Sequence, residues 1–233
     1  MKQPETALIV GAGSGLSASL ARLLAKDGMR VALAAREPSK LAPLVKELAA
    51  FAVSCDAADP AQVEAMFAAV EAKWGVPDLV VYNAGYRVRG PFVGLDPKEV
   101  ERTIRVTGYA GFLVAQGAAK LMLARGSGAI FFTGASASVK GYAESAPFAM
   151  GKFALRGLAQ SMARELAPKG IHVAHFVIDG GISRGVGDPR AGERGADGML
   201  LPDEIAKNYL HVYRQHRSAW AWEVELRPWI ERF

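Results

Sequence analysis

The chain has 233 residues, 51% of them hydrophobic and 22% charged, with a formal net charge of +5. That length and apolar content exclude a disordered chain and fit one α/β domain over residues 1–233 better than two. The basic residues are scattered, with no run of like charge and no nucleic-acid motif, so no nucleic-acid partner is expected.

The opening segment, residues 1–6, is short and polar and runs straight into an apolar strand at 7–10. No signal peptide is expected there, and no apolar run is long enough to span a bilayer. A helix over 16–27 follows and stops at Gly28. Strand 30–34, helix 39–50 and strand 51–54 come next. The single cysteine, Cys55, ends that strand. It excludes an intramolecular disulfide and a thiolate cluster, suits a reducing cytoplasm, and reads as a buried, inert thiol. Asp59 is placed to cap a helix over 60–73, with Pro60 at its first position. Strand 79–82 leads to 98–125, which reads as two helices or one bent helix. Strand 129–133, a long helix 146–167, strand 172–178 and a helix 202–215 complete the alternation, with 223–226 as an edge strand. Each strand before this last one is apolar almost throughout, as parallel strands covered on both faces must be. Repeated strand–helix–strand units with right-handed crossovers imply a doubly wound parallel sheet in three layers, α/β/α, with order 3-2-1-4-5-6-7. Residues 183–198, rich in Gly, Arg and Asp, read either as a loop over the site or as an ordinary surface excursion.

The first strand ends in Gly11-Ala12-Gly13-Ser14-Gly15-Leu16-Ser17, and a helix begins at once. A glycine-rich turn of this kind lets backbone N–H groups approach a diphosphate at a helix N-terminus. Gly11, Gly13, Ser14, Gly15 and Leu16 are therefore candidate cofactor contacts. At the end of the second strand, where an acidic residue would bind a ribose 2′-hydroxyl, the chain has Arg36. A guanidinium there suits a 2′-phosphate, which favours NADP over NAD.

Four further segments carry a resemblance. Tyr82-Asn83-Ala84-Gly85 follows the fourth strand, Asp56 follows the third, Phe148-Ala149-Met150-Gly151-Lys152 opens the long helix, and Asp179-Gly180-Gly181-Ile182-Ser183 follows the sixth strand. In this order they resemble the Asn-Asn-Ala-Gly, adenine-contacting Asp, Tyr-x-x-x-Lys and Pro-Gly-x-x-Thr elements of the short-chain dehydrogenase/reductase family, over nearly the whole chain. The resemblance implies a Rossmann fold, hydride transfer between nicotinamide and a carbonyl or alcohol of a small-molecule substrate, and cofactor contacts from Asp56, Asn83, Ala84, Gly85, Lys152, Gly180 and Ile182. It also implies a homodimer or homotetramer built on the two Ala- and Gly-rich helices 103–124 and 146–167.

The chain departs from that pattern at Phe148 for the tyrosine, Ala135 for the serine, Thr107 for the asparagine and Ser17 for the third glycine. It is similar to a divergent subgroup with Phe in place of the catalytic Tyr and an incomplete glycine motif. Phe148 carries no ionisable hydrogen, so proton transfer falls to other groups. Lys152 lies on the same helical face, four residues on, and Ser138 and Tyr142 are the preferred substitute hydroxyls over Ser136 and Tyr86. The four histidines form no metal motif; His172 and His175 point to opposite faces of their strand, and no metal is assigned. The tryptophans at 220, 222 and 229 seal either a subunit interface or the substrate pocket. Two functions compete: an NADP-dependent oxidoreductase with a non-standard proton donor, and an NADP-binding sensor or regulatory protein without efficient turnover.

Overall fold

The computed structural model describes residues 3–185 and 187–231; Val186, in the stretch 183–198, and the first two residues of the opening segment lie outside this range. Seven strands make one parallel sheet in the order β3-β2-β1-β4-β5-β6-β7, as the alternation implies. They are β1 Thr6–Val10, β2 Arg30–Ala35, β3 Phe51–Ser54, β4 Leu79–Tyr82, β5 Gly128–Thr133, β6 Ile171–Ile178 and β7 Glu223–Leu226. The central strands are buried on both faces, which is why they carry no polar alternation. The chain order reverses between β1 and β4, where Val10 stands opposite both Ala34 and Tyr82, so a crevice opens beyond the strand C-termini at that point.

Helices cover both faces. The α1 helix (Leu16–Lys26) and α8 (Pro202–Tyr213) pack one core with Leu8's neighbours Ala7 and Ile9, and with Phe131, Phe176 and Tyr209. On the other face α3 (Pro60–Trp74), α5 (Ala110–Arg125) and α6 (Ala146–Leu166) enclose Leu8, Val80, Phe132 and Leu155. Asp59 caps α3 as its position requires, accepting from the N–H groups of Ala61 and Gln62.

Several elements differ from expectation. The helix expected over 39–50 is a 3₁₀ turn, Pro38–Leu41, followed by α2 (Ala42–Leu48). The stretch 98–125 is α4 (Pro97–Ile104), a π turn over Arg105–Tyr109, and α5. The π turn is the bend left open by sequence. Such turns insert one residue into a helix and commonly sit at functional sites. The last long helix stops at Tyr213, so His216 lies beyond it and caps a short turn instead. Within 183–198, Ala191–Arg194 forms a short helix, α7. Tyr109 at the end of the π turn, Phe112 in α5, and Met150 and Phe153 in α6 are each about half exposed.

Candidate functional site

The site starts where β1 ends. Gly11 adopts φ +82°, and a Cβ there would lie 2.4 Å from the Ala84 backbone nitrogen. Only glycine allows both the left-handed turn and this close approach of the β1 and β4 ends. The N–H groups of Gly11 and Ala12 both donate to the Ala34 carbonyl at 3.0 Å, which pins the turn to β2. A Cβ on Gly13 or Gly15 would meet nothing within 4 Å, so the turn faces open space. Gly15 supplies no side-chain cap to α1, leaving that helix end to an external acceptor. Leu16 is the first residue of α1, and its side chain is buried in the core. Only its backbone remains available to a ligand.

Ser17 does more than fill a missing glycine. It is buried, its hydroxyl donates to the Gly11 carbonyl at 3.2 Å, and it accepts from Asn83 Nδ2 at 2.7 Å. One hydroxyl thus ties the glycine turn to the end of β4. The signal in the sequence was a hydroxyl in the first helical turn, which bonds backward readily.

A cleft of about 490 Å³ extends from this turn, walled by Gly11, Gly13, Ser14, Arg36, Asp56, Asn83, Ala84 and Gly85. Arg36 is exposed at its rim. Lys40 shares the rim and pairs with Glu37 at 2.8 Å. Asp56 accepts from the Ala58 N–H at 3.0 Å and donates its own N–H to Gln62 at 2.9 Å, which fixes it on the wall. Cys55 beside it is buried, and its thiol is pushed up to about 11 by burial and the neighbouring Asp56 and Asp59, as expected of an inert thiol. Open amides at a helix N-terminus, a wall carboxylate and basic rim groups are the donor set a dinucleotide requires, so the residues present fit one.

At the other end of the site α6 lays Phe148, Lys152 and Arg156 along one face. Lys152 is 5% exposed and donates to the Thr133 carbonyl at 2.6 Å. Its Nζ would stand 3.9 Å from a Cβ placed on Gly85. Burial without a carboxylate partner pushes this ammonium down to about 8. The Phe148 ring is near two cations, Lys152 Nζ at 5.7 Å from its centroid and the Arg87 guanidinium at 5.1 Å. Thr107 belongs to the π turn. Its hydroxyl donates to the Tyr86 carbonyl and accepts from the Tyr86 N–H, both at 3.3 Å. Gly151 permits this contact of α6 with the π turn, since a Cβ there would come 2.8 Å from Thr107 Cβ.

The remaining hydroxyls are differently placed. Ser138 is fully buried and accepts from the Ala135 N–H at 3.1 Å, closing the turn Ser136–Ser138. Tyr142 is 45% exposed. Tyr86 donates its hydroxyl to Glu99 at 2.6 Å. Beyond β6, Gly180 and Ile182 lie outside the walls of the cradle cleft; Ile182 bridges to Leu200. Asp179, at the proline position of that motif, is buried and paired with Lys140 at 3.1 Å and Arg227 at 3.0 Å. The two strand histidines face opposite ways. His172 bonds the Ala221 carbonyl and stacks on Trp220 at 4.6 Å, while His175 bonds Glu223 at 3.1 Å. Burial pushes His175 down to about 4 against the pull of Glu223, so it is neutral at pH 7. Among the described residues no three His, Cys, Asp or Glu side chains form a metal-ligating group. No helix is long and apolar enough to cross a membrane among them.

Known proteins share this architecture. The short chain dehydrogenase family matches residues 5–184. A protein of Streptomyces violaceoruber assigned as ketoacyl reductase 1 of granaticin polyketide synthase is 34% identical over 174 residues, 72% of this chain and 64% of that protein. The chain therefore spans slightly under two thirds of that relative's length. A crystal structure of a short-chain dehydrogenase from Rhodopseudomonas palustris superposes with a TM-score of 0.84 at 36% identity, covering 98% of this chain and all of the other. That of an actinorhodin polyketide ketoreductase variant with NADPH gives 0.89 at 25% identity, with both chains covered in full. With the reversal of strand order, the glycine turn and the α6 lysine in their places, the chain belongs to the short-chain dehydrogenase family of oxidoreductases.

Proposed function

We propose that this chain is an NADP-dependent oxidoreductase acting on a carbonyl or alcohol, with Lys152 as its proton donor in place of a tyrosine. One observation carries the reading: a buried ammonium, pushed down to about 8, stands beside Gly85, a wall residue of the cleft. A group with its pKa near the working pH gives and takes protons most effectively. When bound, the nicotinamide would supply or accept the hydride. Lys152 orients itself on Thr133 O, and its protonated form donates to the oxygen of the carbonyl being reduced, directly or through a water. Arg36 grips the 2′-phosphate, and the open amides of residues 13–15 hold the diphosphate.

The NADPH-bound ketoreductase supports this cofactor, and the exposed Arg36 at the cleft rim supports it from within the chain. The test is calorimetric titration with NADPH and NADH, followed by NADPH turnover on ketones, aldehydes and quinones. Arg36→Ala is expected to weaken NADPH binding by ~10–100-fold, the loss of a charged hydrogen-bonded pair of about 1.5–3 kcal/mol, and to leave NADH within about twofold. Equal losses for both cofactors remove Arg36 from the phosphate.

A second reading, a cofactor-binding sensor without efficient turnover, is favoured by the same geometry that removes hydroxyls from the site. Phe148 and Ala135 carry none, and that of Ser138 closes its own turn. NADPH binding with no turnover on any carbonyl selects this reading.

The half-exposed apolar side chains of α5 and α6 support assembly with a second copy of the chain as a homodimer or homotetramer. Sedimentation is expected to give a multiple of the 24.8 kDa chain mass, reduced by Phe153→Arg; a single-chain mass removes this part of the proposal.

A further inference from the structure

The loop between β4 and α4 carries Arg87 and Arg89, and neither has an acidic partner among the described residues. Some other arginines of the chain are paired with carboxylates. Arg22 pairs with Glu47, Arg125 with Asp78 and Arg156 with Glu223. Arg87 is exposed, and its guanidinium lies 5.1 Å from the centroid of Phe148, the residue at the family's proton-donor position. The loop is anchored on both sides of the pair. Tyr86 is bracketed by the Thr107 hydroxyl, and the Gly90 N–H donates to the Glu144 carbonyl at 3.1 Å.

Arg87 and Arg89 are both exposed and lie two residues apart on this loop, and an anion between two like charges removes their mutual repulsion. The repulsion registers in the chain, since Arg87 is held below the usual guanidinium range by desolvation and by Arg89. A planar fork of N–H donors matches a carboxylate in two parallel hydrogen bonds.

We infer that Arg87 and Arg89 form an anion-binding subsite beside Phe148 that selects substrates carrying a carboxylate, so that the carbonyl compound acted on is an oxo acid. The substrate class rests on the oxidoreductase reading above; the anion site itself does not. Its carboxylate sits on the Arg87 fork, which directs the reacting carbonyl of the same molecule toward Lys152. The placement also explains how a site without a tyrosine holds its substrate: charge on the β4–α4 loop replaces a hydroxyl on α6.

The test uses the full chain, free and saturated with NADP, titrated calorimetrically with pyruvate, 4-oxopentanoate and their methyl esters. At least one acid is expected to bind ~10-fold or more tightly than its ester, with the preference shrinking as sodium chloride is added. Arg87→Gln with Arg89→Gln is expected to abolish the preference while leaving the NADPH dissociation constant and the melting temperature unchanged, and Arg87→Lys to retain part of it. No preference for either acid, no binding of any of the four, or a preference that survives the double substitution overturns the subsite. If no dinucleotide binds, the cofactor reading fails alone, and an acid preference of the free chain that the double substitution removes still upholds the anion site.

Discussion

Exchanging Lys152 for methionine is expected to stop catalysis and to stabilise the fold at the same time. Removing the proton donor costs a factor of ~10²–10⁴ in kcat for carbonyl reduction. Stability moves the other way because the ammonium is buried against a carbonyl and no carboxylate. Its pKa falls from 10.5 to about 8, and each unit is worth about 1.4 kcal/mol, so the charge costs the folded state about 3 kcal/mol at pH 7. Methionine fills a similar volume without charge but leaves the Thr133 carbonyl without its donor, a cost of about 1–3 kcal/mol, so a net gain of about 0–2 kcal/mol is expected. The sign can be followed with pH. Between about 8 and 10.5 the unfolded chain holds more protons at this position than the folded one, so the Lys152 contribution to stability rises with pH through that window. Below about 8 the penalty is at its full value. Urea unfolding at pH 7 and pH 10 should therefore show the advantage of Lys152→Met shrinking at the higher pH. Catalysis follows the same ionisation: the reduction rate is flat below about pH 8 and falls above it, and the reverse oxidation does the opposite. A destabilised Lys152→Met protein, or a reduction rate with no inflection near 8, removes Lys152 as a buried proton donor.

The frame of the molecule was legible because it is written in local patterns. Unbroken apolar runs such as Leu79–Tyr82 can only be doubly covered strands, and the capping pair Asp59–Pro60 sets the start of α3. The glycine turn was legible for the same reason, since the glycines at 11, 13 and 15 fall within five successive residues of the chain. What escaped the sequence is what depends on distance across the fold. The Asn83–Ser17–Gly11 bridge joins the ends of two strands and the start of a helix, and no spacing announces it. Nor does the chain announce that Arg87 stacks on a ring 61 residues later, or that Asp179 sits between Lys140 and Arg227. The π turn was visible only as a bend, because insertion of one residue into a helix leaves the apolar period nearly unchanged. Nor does spacing announce that Ser138 is buried with its oxygen accepting from the Ala135 N–H within its own turn, its O–H still able to donate.

Restoring the lost hydroxyl with Phe148→Tyr is expected to raise the rate of carbonyl reduction by about 10²-fold, the lower end of what a positioned general acid contributes. The lower end applies because Ala135 supplies no hydroxyl to polarise the substrate oxygen. The acid itself is well provided for. Phe148 already lies with Lys152 Nζ at 5.7 Å and Arg87 at 5.1 Å from its ring centroid, and both cations favour the phenolate over the phenol, lowering the hydroxyl below its usual value near 10. Single-turnover oxidation of bound NADPH by an excess of ketone reads the chemical step directly. Its pH profile separates the two functional readings. If the parent turns over slowly with an inflection near 8 and Phe148→Tyr shifts that inflection, the lysine is the native donor and the phenol takes over from it. If the parent binds NADPH but shows no turnover while the variant gains it, the chain is a binding protein whose site has lost only its acid. A variant that binds NADPH and is no faster than the parent on any carbonyl places the reacting oxygen away from residue 148, and the proposed path of the proton from α6 fails with it.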